Sequence, residues 1–320
     1  MKLRYAFALT LLMAAVPAQA QEWPTGTVKI VVPFGPGSTP DTVARVIADQ
    51  LKQEHAGVTF VVENKPGASG NLGTDVVAKA APDGSTIGIS IGGPLAINTL
   101  LFSKLPYDPK TDIAPITQLI SLPSVLAVSP ELKVNTIGQL IALLKANPGK
   151  YNFSSIGTGS LSQLAVEATA IKAGTKLVHI PYASSPQAIM AVIRNDAQMA
   201  CLPAITVEPQ AEAGKVKILA VSTAKRSRFL PNVPTLKESG IDVEADAWMG
   251  LIAPGGTPKA IIDKINKDVV AILTLPAVRD KLATQMMEPV GSTPEQFRQT
   301  IDNEITRWAP VIKAANIKVN

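Results

Sequence analysis

The chain has 320 residues, a formal net charge of +5, 46% hydrophobic and 4% aromatic residues, and a single cysteine. One cysteine excludes an intrachain disulfide. The scarcity of aromatics and the scatter of Lys and Arg leave no base-stacking surface and no basic stripe, so no nucleic-acid partner is expected. The length exceeds one comfortable core and suits two domains.

Residues 1–20 are expected to be a signal peptide. Lys2 and Arg4 give a positive start, Ala6 to Val16 is an apolar stretch too short to span a bilayer, and Ala18-Gln19-Ala20 is a small-residue cleavage motif. Cleavage after Ala20 predicts an exported, periplasmic chain without a lipid anchor, because no Cys follows the cut.

The first predicted unit is the most informative. A β-branched strand, Val28–Val32, runs through Phe34-Gly35-Pro36-Gly37-Ser38-Thr39 into a helix over Pro40–Gln53. The loop lies at the carboxyl end of its strand, where open α/β sheets bind ligands. The helix start offers unpaired N–H groups and the positive end of a dipole, which suits an anion. The loop carries no Lys or Arg, so backbone amides are expected to hold that anion. Asp41 is expected to fix the loop by accepting N–H bonds and to pair with Arg45 one turn on.

Further strands are predicted at Thr59–Val62, Thr86–Ile91, Ser124–Val128, Tyr151–Ser154, Lys176–His179, Gln198–Leu202, Lys217–Ser222 and Met249–Ala253. Helices are predicted at Asn71–Lys79, Ile137–Asn147, Leu161–Ala173, Pro186–Arg194, Val207–Ala213, Leu236–Ser239, Pro258–Thr274, Ala277–Met287 and Pro294–Ala315. This alternation predicts an α/β fold with a mostly parallel sheet, or two of them. Thr39-Pro40, Ser185-Pro186, Thr257-Pro258 and Thr293-Pro294 each read as a hydroxyl N-cap before a Pro at the first helical position. Ser160-x-x-Gln163 and Thr293-x-x-Gln296 read as capping boxes. A cap alone mostly satisfies backbone donors. Two helix starts stand apart because a strand and a glycine-rich turn precede them: Phe34–Asp41, and Ser154-Ser155-Ile156-Gly157-Thr158-Gly159-Ser160. Two such loops predict one from each domain, facing across a cleft. Phe34, Tyr182 and Trp248 are the aromatics placed near it.

Reactive constellations are scarce. No HExxH, Walker A loop, CxxC or G-x-S-x-G occurs. His55 reads as a turn residue, His179 as a strand end, and Cys201 as a buried core residue. No enzyme activity, metal or cofactor is expected.

The chain resembles the Bug-type periplasmic solute receptors, the substrate-binding components of tripartite tricarboxylate transporters. The resemblance runs from Trp23-Pro24 to the C-terminus. It rests on Val31-Val32-Pro33-Phe34-Gly35-Pro36-Gly37 with Asp41, Val62-Glu63-Asn64-Lys65-Pro66-Gly67-Ala68-Ser69-Gly70-Asn71, Leu105-Pro106-Tyr107-Asp108-Pro109, His179-Ile180-Pro181-Tyr182, and Ala253-Pro254-Gly255-Gly256-Thr257-Pro258. It implies a two-domain periplasmic binding protein of type II, a Venus flytrap with the ligand between its domains. The implied division is 21–122 plus 226–320 as one domain and 123–225 as the other. The implied ligand is a small organic carboxylate, a dicarboxylate or an aromatic acid among others, pinched by the two loops. The implied site is Phe34, Gly35, Pro36, Gly37, Ser38, Thr39, Asp41, Ala68, Ser90, Ser154, Ile156, Gly157, Thr158, Gly159, Ser160, Tyr182 and Ala204. The implied partners are integral membrane transporter subunits, with the receptor a monomer. Ser38 stands where the family commonly has a second Gly, Ala183-Ser184 where it has Lys-Gly, Lys65 where Arg is common, and apolar Leu202-Pro203-Ala204 where an acidic or polar residue is frequent. Two rival readings are a sensor docking on a membrane histidine kinase and a hydrolase using Ser160 or His179.

Overall fold

The computed structural model describes residues 23–319, so the expected signal peptide and its cleavage point lie outside the described residues. The chain runs β1 (Thr27–Val32), α1 (Thr39–Glu54), β2 (Thr59–Asn64), α2 (Asn71–Ala78), β3 (Thr86–Ile91), α3 (Asn98–Leu101), β4 (Ile113–Leu122), β5 (Ser124–Val128), α4 (Ile137–Ala146), β6 (Asn152–Ser155), α5 (Leu161–Ala173), β7 (Val178–Pro181), α6 (Ser185–Ile193), β8 (Met199–Pro203), α7 (Ala204–Glu212), β9 (Lys217–Val221), β10 (Ala247–Pro254), α8 (Lys259–Thr274), α9 (Pro276–Ala283), β11 (Glu288–Pro289) and α10 (Pro294–Ala314). Among the described residues no helix is long and apolar enough to cross a membrane.

Two sheets form, each covered by helices. The first has the order β11-β4-β10-β3-β1-β2 and the second β7-β6-β8-β5-β9. The expected parallel strands are there: β1 lies between β2 and β3 with Ile30 opposite Val62 and Ile87, and β6 lies between β7 and β8. The sheets are mixed rather than mostly parallel. β10 runs antiparallel to both β3 and β4, and β5 runs antiparallel to both β8 and β9. The physical reason is the crossing of the chain between sheets. β4 passes through Pro123 directly into β5, and the chain returns from β9 to β10, so the crossing strands enter each sheet against the βαβ direction.

Burial explains the elements. Val28, Ile30 and Val32 of β1 are fully buried and meet Val43, Ile47 and Leu51, which recur one turn apart on the inner face of α1. α8 adds Ile261, Ile265, Val269 and Ile272 to the same core. In the second sheet every residue of β5 is buried, as fits a strand covered on both faces. α10 joins the two halves. Phe297 and Ile301 share a core with Trp248 and Ile252 of the first sheet, whereas Trp308 and Ile312 share one with Phe153 of the second sheet and Leu164 of α5.

Three local expectations are corrected. β4, the longest strand, was not predicted because Pro115, Thr117 and Gln118 interrupt its apolar pattern; pairing with β10 holds it nonetheless. Residues 93–101 are helical, although Gly92-Gly93-Pro94 reads as a breaker; Leu95, Ala96 and Ile97 are buried there. Leu236–Ser239 is turn rather than helix. The N-cap positions also shift by one residue: Ser38 rather than Thr39 holds that of α1 and Pro258 rather than Thr257 that of α8, neither with a side-chain cap bond, whereas Ser184 rather than Ser185 caps α6 by accepting from Gln187 N. The Thr293–Gln296 capping box forms in full.

Candidate functional site

A cavity of about 340 Å³ opens where the two sheets face each other. Phe34, just past β1, forms one wall. Ile156 to Leu161, joining β6 to α5, form the opposite wall. Both stand at carboxyl ends of strands, and they come from different sheets.

The Phe34 ring lies against Gly70, where an added Cβ would come within 3.1 Å of the ring and 2.9 Å of Pro94. A side chain at position 70 therefore displaces the ring. Ser69 lines the cavity with a left-handed backbone (φ 55°), beside Ala68 at φ 46°. Behind this wall Asn98 Nδ2 donates to Asn71 Oδ1 (2.6 Å), and the buried Tyr107 hydroxyl lies 3.1 Å from the same oxygen and 2.9 Å from the Pro94 carbonyl. Burial holds the Tyr107 hydroxyl protonated well above the ordinary phenol range. This network braces residues 93–101, which present Ile97, Asn98 and Leu101 to the cavity.

Asp41 clamps the first loop. Its carboxylate accepts from Gly37 N (2.9 Å), Asn64 Nδ2 (2.9 Å) and both Arg45 Nε (3.0 Å) and Nη2 (2.9 Å). Arg45 above all lowers its pKa to about 2. Asn64 also donates to the Phe34 carbonyl, tying β2 to the cavity wall. Ser38 has N-cap backbone geometry, yet its hydroxyl makes no cap bond; Ser38 Oγ is buried without a partner among the described residues.

The second loop turns most of its amides inward. Ile156 N donates to Ser162 Oγ, Gly157 N to Ser155 Oγ, Gly159 N to Gln163 Oε1 (2.8 Å), and Ser160 N to Gly157 O. Among the described residues the N–H groups of Thr158, Leu161 and Ser162 have no such partner. Gln163 reaches Gly159 rather than Ser160, so the expected capping box closes one residue early. Gly159 has φ 78°, and a Cβ there would land 2.4 Å from Leu101, so this loop meets the 93–101 segment at a glycine-only contact.

Of the residues expected at the site, Phe34, Ile156, Gly157, Thr158, Gly159 and Ser160 share the cavity. Gly35, Pro36, Gly37, Ser38, Thr39 and Asp41 form the adjoining loop behind Phe34. Ala68 sits beside the lining residue Ser69. Ser90 Oγ is buried 2.9 Å from Thr74 Oγ1, and Ser154 Oγ is buried and donates to Ala188 O. Tyr182 lies in a separate surface groove with Pro186, Gln187, Met190 and Arg194. Ala204 is buried at the crossing, its N–H on Pro123 O. Ser160 and His179 do not meet: Ser160 Oγ bonds Gly157 O and Ser162 Oγ, whereas His179 Nε2 lies 2.6 Å from Ser155 Oγ and its ring stacks on Phe153. Burial holds His179 below the usual imidazole pKa. Cys201 is buried, its thiol pushed up to about 12.

Sequence reasoning missed the acidic side of the cavity. Asp246, just before β10, and Glu304 of α10 line it, beside Trp248, which was expected near the cleft. Burial first, and then Glu244 and Glu304, push the Asp246 carboxyl up to about 7, with Arg307 opposing. Glu304, also raised by burial, accepts from Trp308 Nε1 (2.7 Å) and Arg307 Nη1 (3.0 Å). No sequence motif signals this group, because 58 positions separate its two acids (from 246 to 304) and only tertiary packing joins them.

The model of the family described as "Tripartite tricarboxylate transporter family receptor" matches residues 43–317. Protein BugT of Bordetella pertussis is 35% identical over 309 residues, covering 95% of this chain and 94% of BugT. Among solved structures, an R. palustris protein with adipate is similar at 34% identity and TM-score 0.79, covering 93% of this chain and 99% of that one. MatC from Rhodopseudomonas palustris with bound malate is similar at 30% identity and TM-score 0.74, covering 91% of this chain and 100% of MatC. The periplasmic binding protein BugD is similar at 31% identity and TM-score 0.75, covering 92% of this chain and 99% of BugD. The two-domain α/β fold, the cavity between its sheets and these likenesses agree: the chain belongs to the tripartite tricarboxylate transporter receptor family and is a solute-binding receptor, not an enzyme.

Proposed function

We propose that this protein captures a small organic carboxylate in the periplasm by closing its two lobes on it, and delivers it to the membrane subunits of a tripartite tricarboxylate-type transporter. In this reading residues 21–122 and 226–320 belong to one lobe and 123–225 to the other. One observation carries it: loops at the carboxyl ends of β1 and β6, one from each sheet, wall a single cavity. The unpaired N–H groups of Thr158, Leu161 and Ser162 at the start of α5 offer donors for a carboxylate without a basic side chain. Malate in MatC and adipate in the R. palustris relative support the ligand class. Closure requires that the ligand bind the closed form more tightly than the open one.

Thr158 is exposed at the rim, so Thr158→Trp fills the cavity with little effect on the fold. Calorimetry over mono-, di- and tricarboxylates, amino acids and aromatic acids is expected to find a ligand for the parent chain and none for Thr158→Trp at an unchanged melting temperature. Equal binding by the two proteins overturns the placement. Binding of sugars or cations alone overturns the ligand class.

A further inference from the structure

We propose that the ligand is an α-amino acid with an apolar side chain, its ammonium held by Asp246 and its carboxylate met by the Trp248 indole N–H. This rests on the carboxylate-receptor reading above and narrows it.

The first support is an imbalance of charge. Glu244, Asp246 and Glu304 gather around one guanidinium, Arg307. Arg307 is engaged: it bonds Glu304 Oε1 through Nη1 (3.0 Å) and Glu244 Oε1 through Nη2 (3.1 Å). Glu304 is engaged too, with one oxygen on Arg307 and the other on Trp308 Nε1. Asp246 is the carboxyl left over. Its Oδ1 is buried and has no hydrogen-bond partner among the described residues. The Ala224 backbone N–H favours the ionised form, but it leaves Oδ1 unmet; a buried carboxylate oxygen without a partner is unfavourable, and a cationic donor entering the cavity relieves it.

The second support is independent of the acids. Trp248 is only 5% exposed, lines the same cavity, and its Nε1 is buried without an acceptor among the described residues. Its N–H lies near enough to Glu304 to lower that carboxyl slightly, but no hydrogen bond closes between them. The absence of a side chain at Gly92, where a Cβ would stand 3.6 Å from Nε1, keeps this edge of the indole open. Asp246 immediately precedes β10 and Trp248 is its second residue, and both line the one cavity. One vacant acceptor and one vacant donor in the same cavity complement an ammonium and a carboxylate on one carbon. The loop N–H groups remain for the other carboxylate oxygen.

The rest of the cavity sets the side chain. Phe34, Ile97, Leu101, Phe102 and Met249 are apolar, and among the described residues no Lys, Arg or His lines the wall. A second ligand carboxylate therefore meets Asp246 without a cation to balance it. A zwitterion enters with no net charge.

The groups facing Asp246 are Glu244, Glu304 and Arg307, with the Cys201 thiol behind. Ionised Asp246 is the form that accepts from an ammonium. With its carboxyl titrating near 7, affinity for an amino acid is expected to fall severalfold between pH 8 and pH 6.

The test is calorimetry on the purified chain with leucine and phenylalanine, their deaminated counterparts 4-methylpentanoate and 3-phenylpropanoate, and adipate. The expected result is at least tenfold tighter binding of one amino acid than of its deaminated counterpart, weakened at pH 6 and erased by Asp246→Asn. A deaminated acid or adipate binding as well as the amino acids overturns the inference, and so does an Asp246→Asn protein that keeps the preference. If that variant does not fold, the parent chain's ligand series and pH profile decide alone. If one of the plain acids binds and the amino acids do not, the amino-acid inference fails while the carboxylate reading stands; if no organic acid binds, both fall.

Discussion

Asp41, after β1, and Asp246, before β10 of the same sheet, are shifted in opposite directions, and the contrast is measurable. Asp41 is depressed from 3.8 to about 2, chiefly by its hydrogen bonds to Arg45. A carboxyl lowered on folding contributes stability that is present above its unfolded pKa and lost as pH falls through the folded one. Asp41→Asn is therefore expected to destabilise by about 1–2 kcal/mol at pH 7, with the difference from the parent vanishing near pH 2. Asp246 is raised from 3.8 to about 7, so the folded state holds its proton more tightly than the unfolded chain. That stabilisation is present at low pH and is lost as pH rises from about 4 to 7. Asp246→Asn is expected to match the parent near pH 4 and to exceed it above pH 7, by on the order of 2 kcal/mol. Urea melts across pH 2–8 check both signs. At this scale the sequence was informative about Asp41, whose partners Gly37 and Arg45 are four residues away on either side. It was silent about Asp246, whose environment is assembled from Glu244, Glu304 and Arg307 by the packing of α10.

Elements were legible where local chemistry decides them. α5 spans Leu161–Ala173 as expected, because Ser160 caps it and Gly174 ends it in the left-handed conformation. β4 and the helical segment 93–101 were not legible, because partners distant in sequence hold them: β10 pairs along β4, and the Asn71–Asn98–Tyr107 network braces the segment. The contact between β10 and α10 is of the same kind. At Gly250 an added Cβ would fall 1.9 Å from Phe297 Cζ, so the ring of α10 lies directly on the strand backbone. Gly250→Ala is expected to destabilise by about 3 kcal/mol through overpacking. Pairing it with Phe297→Leu is expected to recover part of the loss instead of adding to it, as befits residues in contact. Thermal or urea unfolding of the two single variants and the double variant closes the cycle; strict additivity refutes the contact.

At the scale of the molecule, the division into two sheets follows from a sequence in which βα units repeat and one Pro separates β4 from β5. The site lies between the sheets, so its loop residues were legible from strand-loop-helix grammar, while its acidic side was not. α10 adds a consequence for the thermodynamics of the whole chain. One unbroken helix supplies Phe297 to the first core and Trp308 to the second. Neither core can melt alone without unpacking half of that helix, and the loss then propagates into the other. The two lobes are therefore expected to unfold as one cooperative unit, with calorimetric and van't Hoff enthalpies equal, where independently stable lobes joined by crossing strands give two transitions. Ligand at 100 times its dissociation constant is expected to raise that single transition by about 2.7 kcal/mol as a whole. A shared helix thus makes occupancy of the cleft a property that protects every residue of the receptor, including those of the lobe face farthest from the ligand.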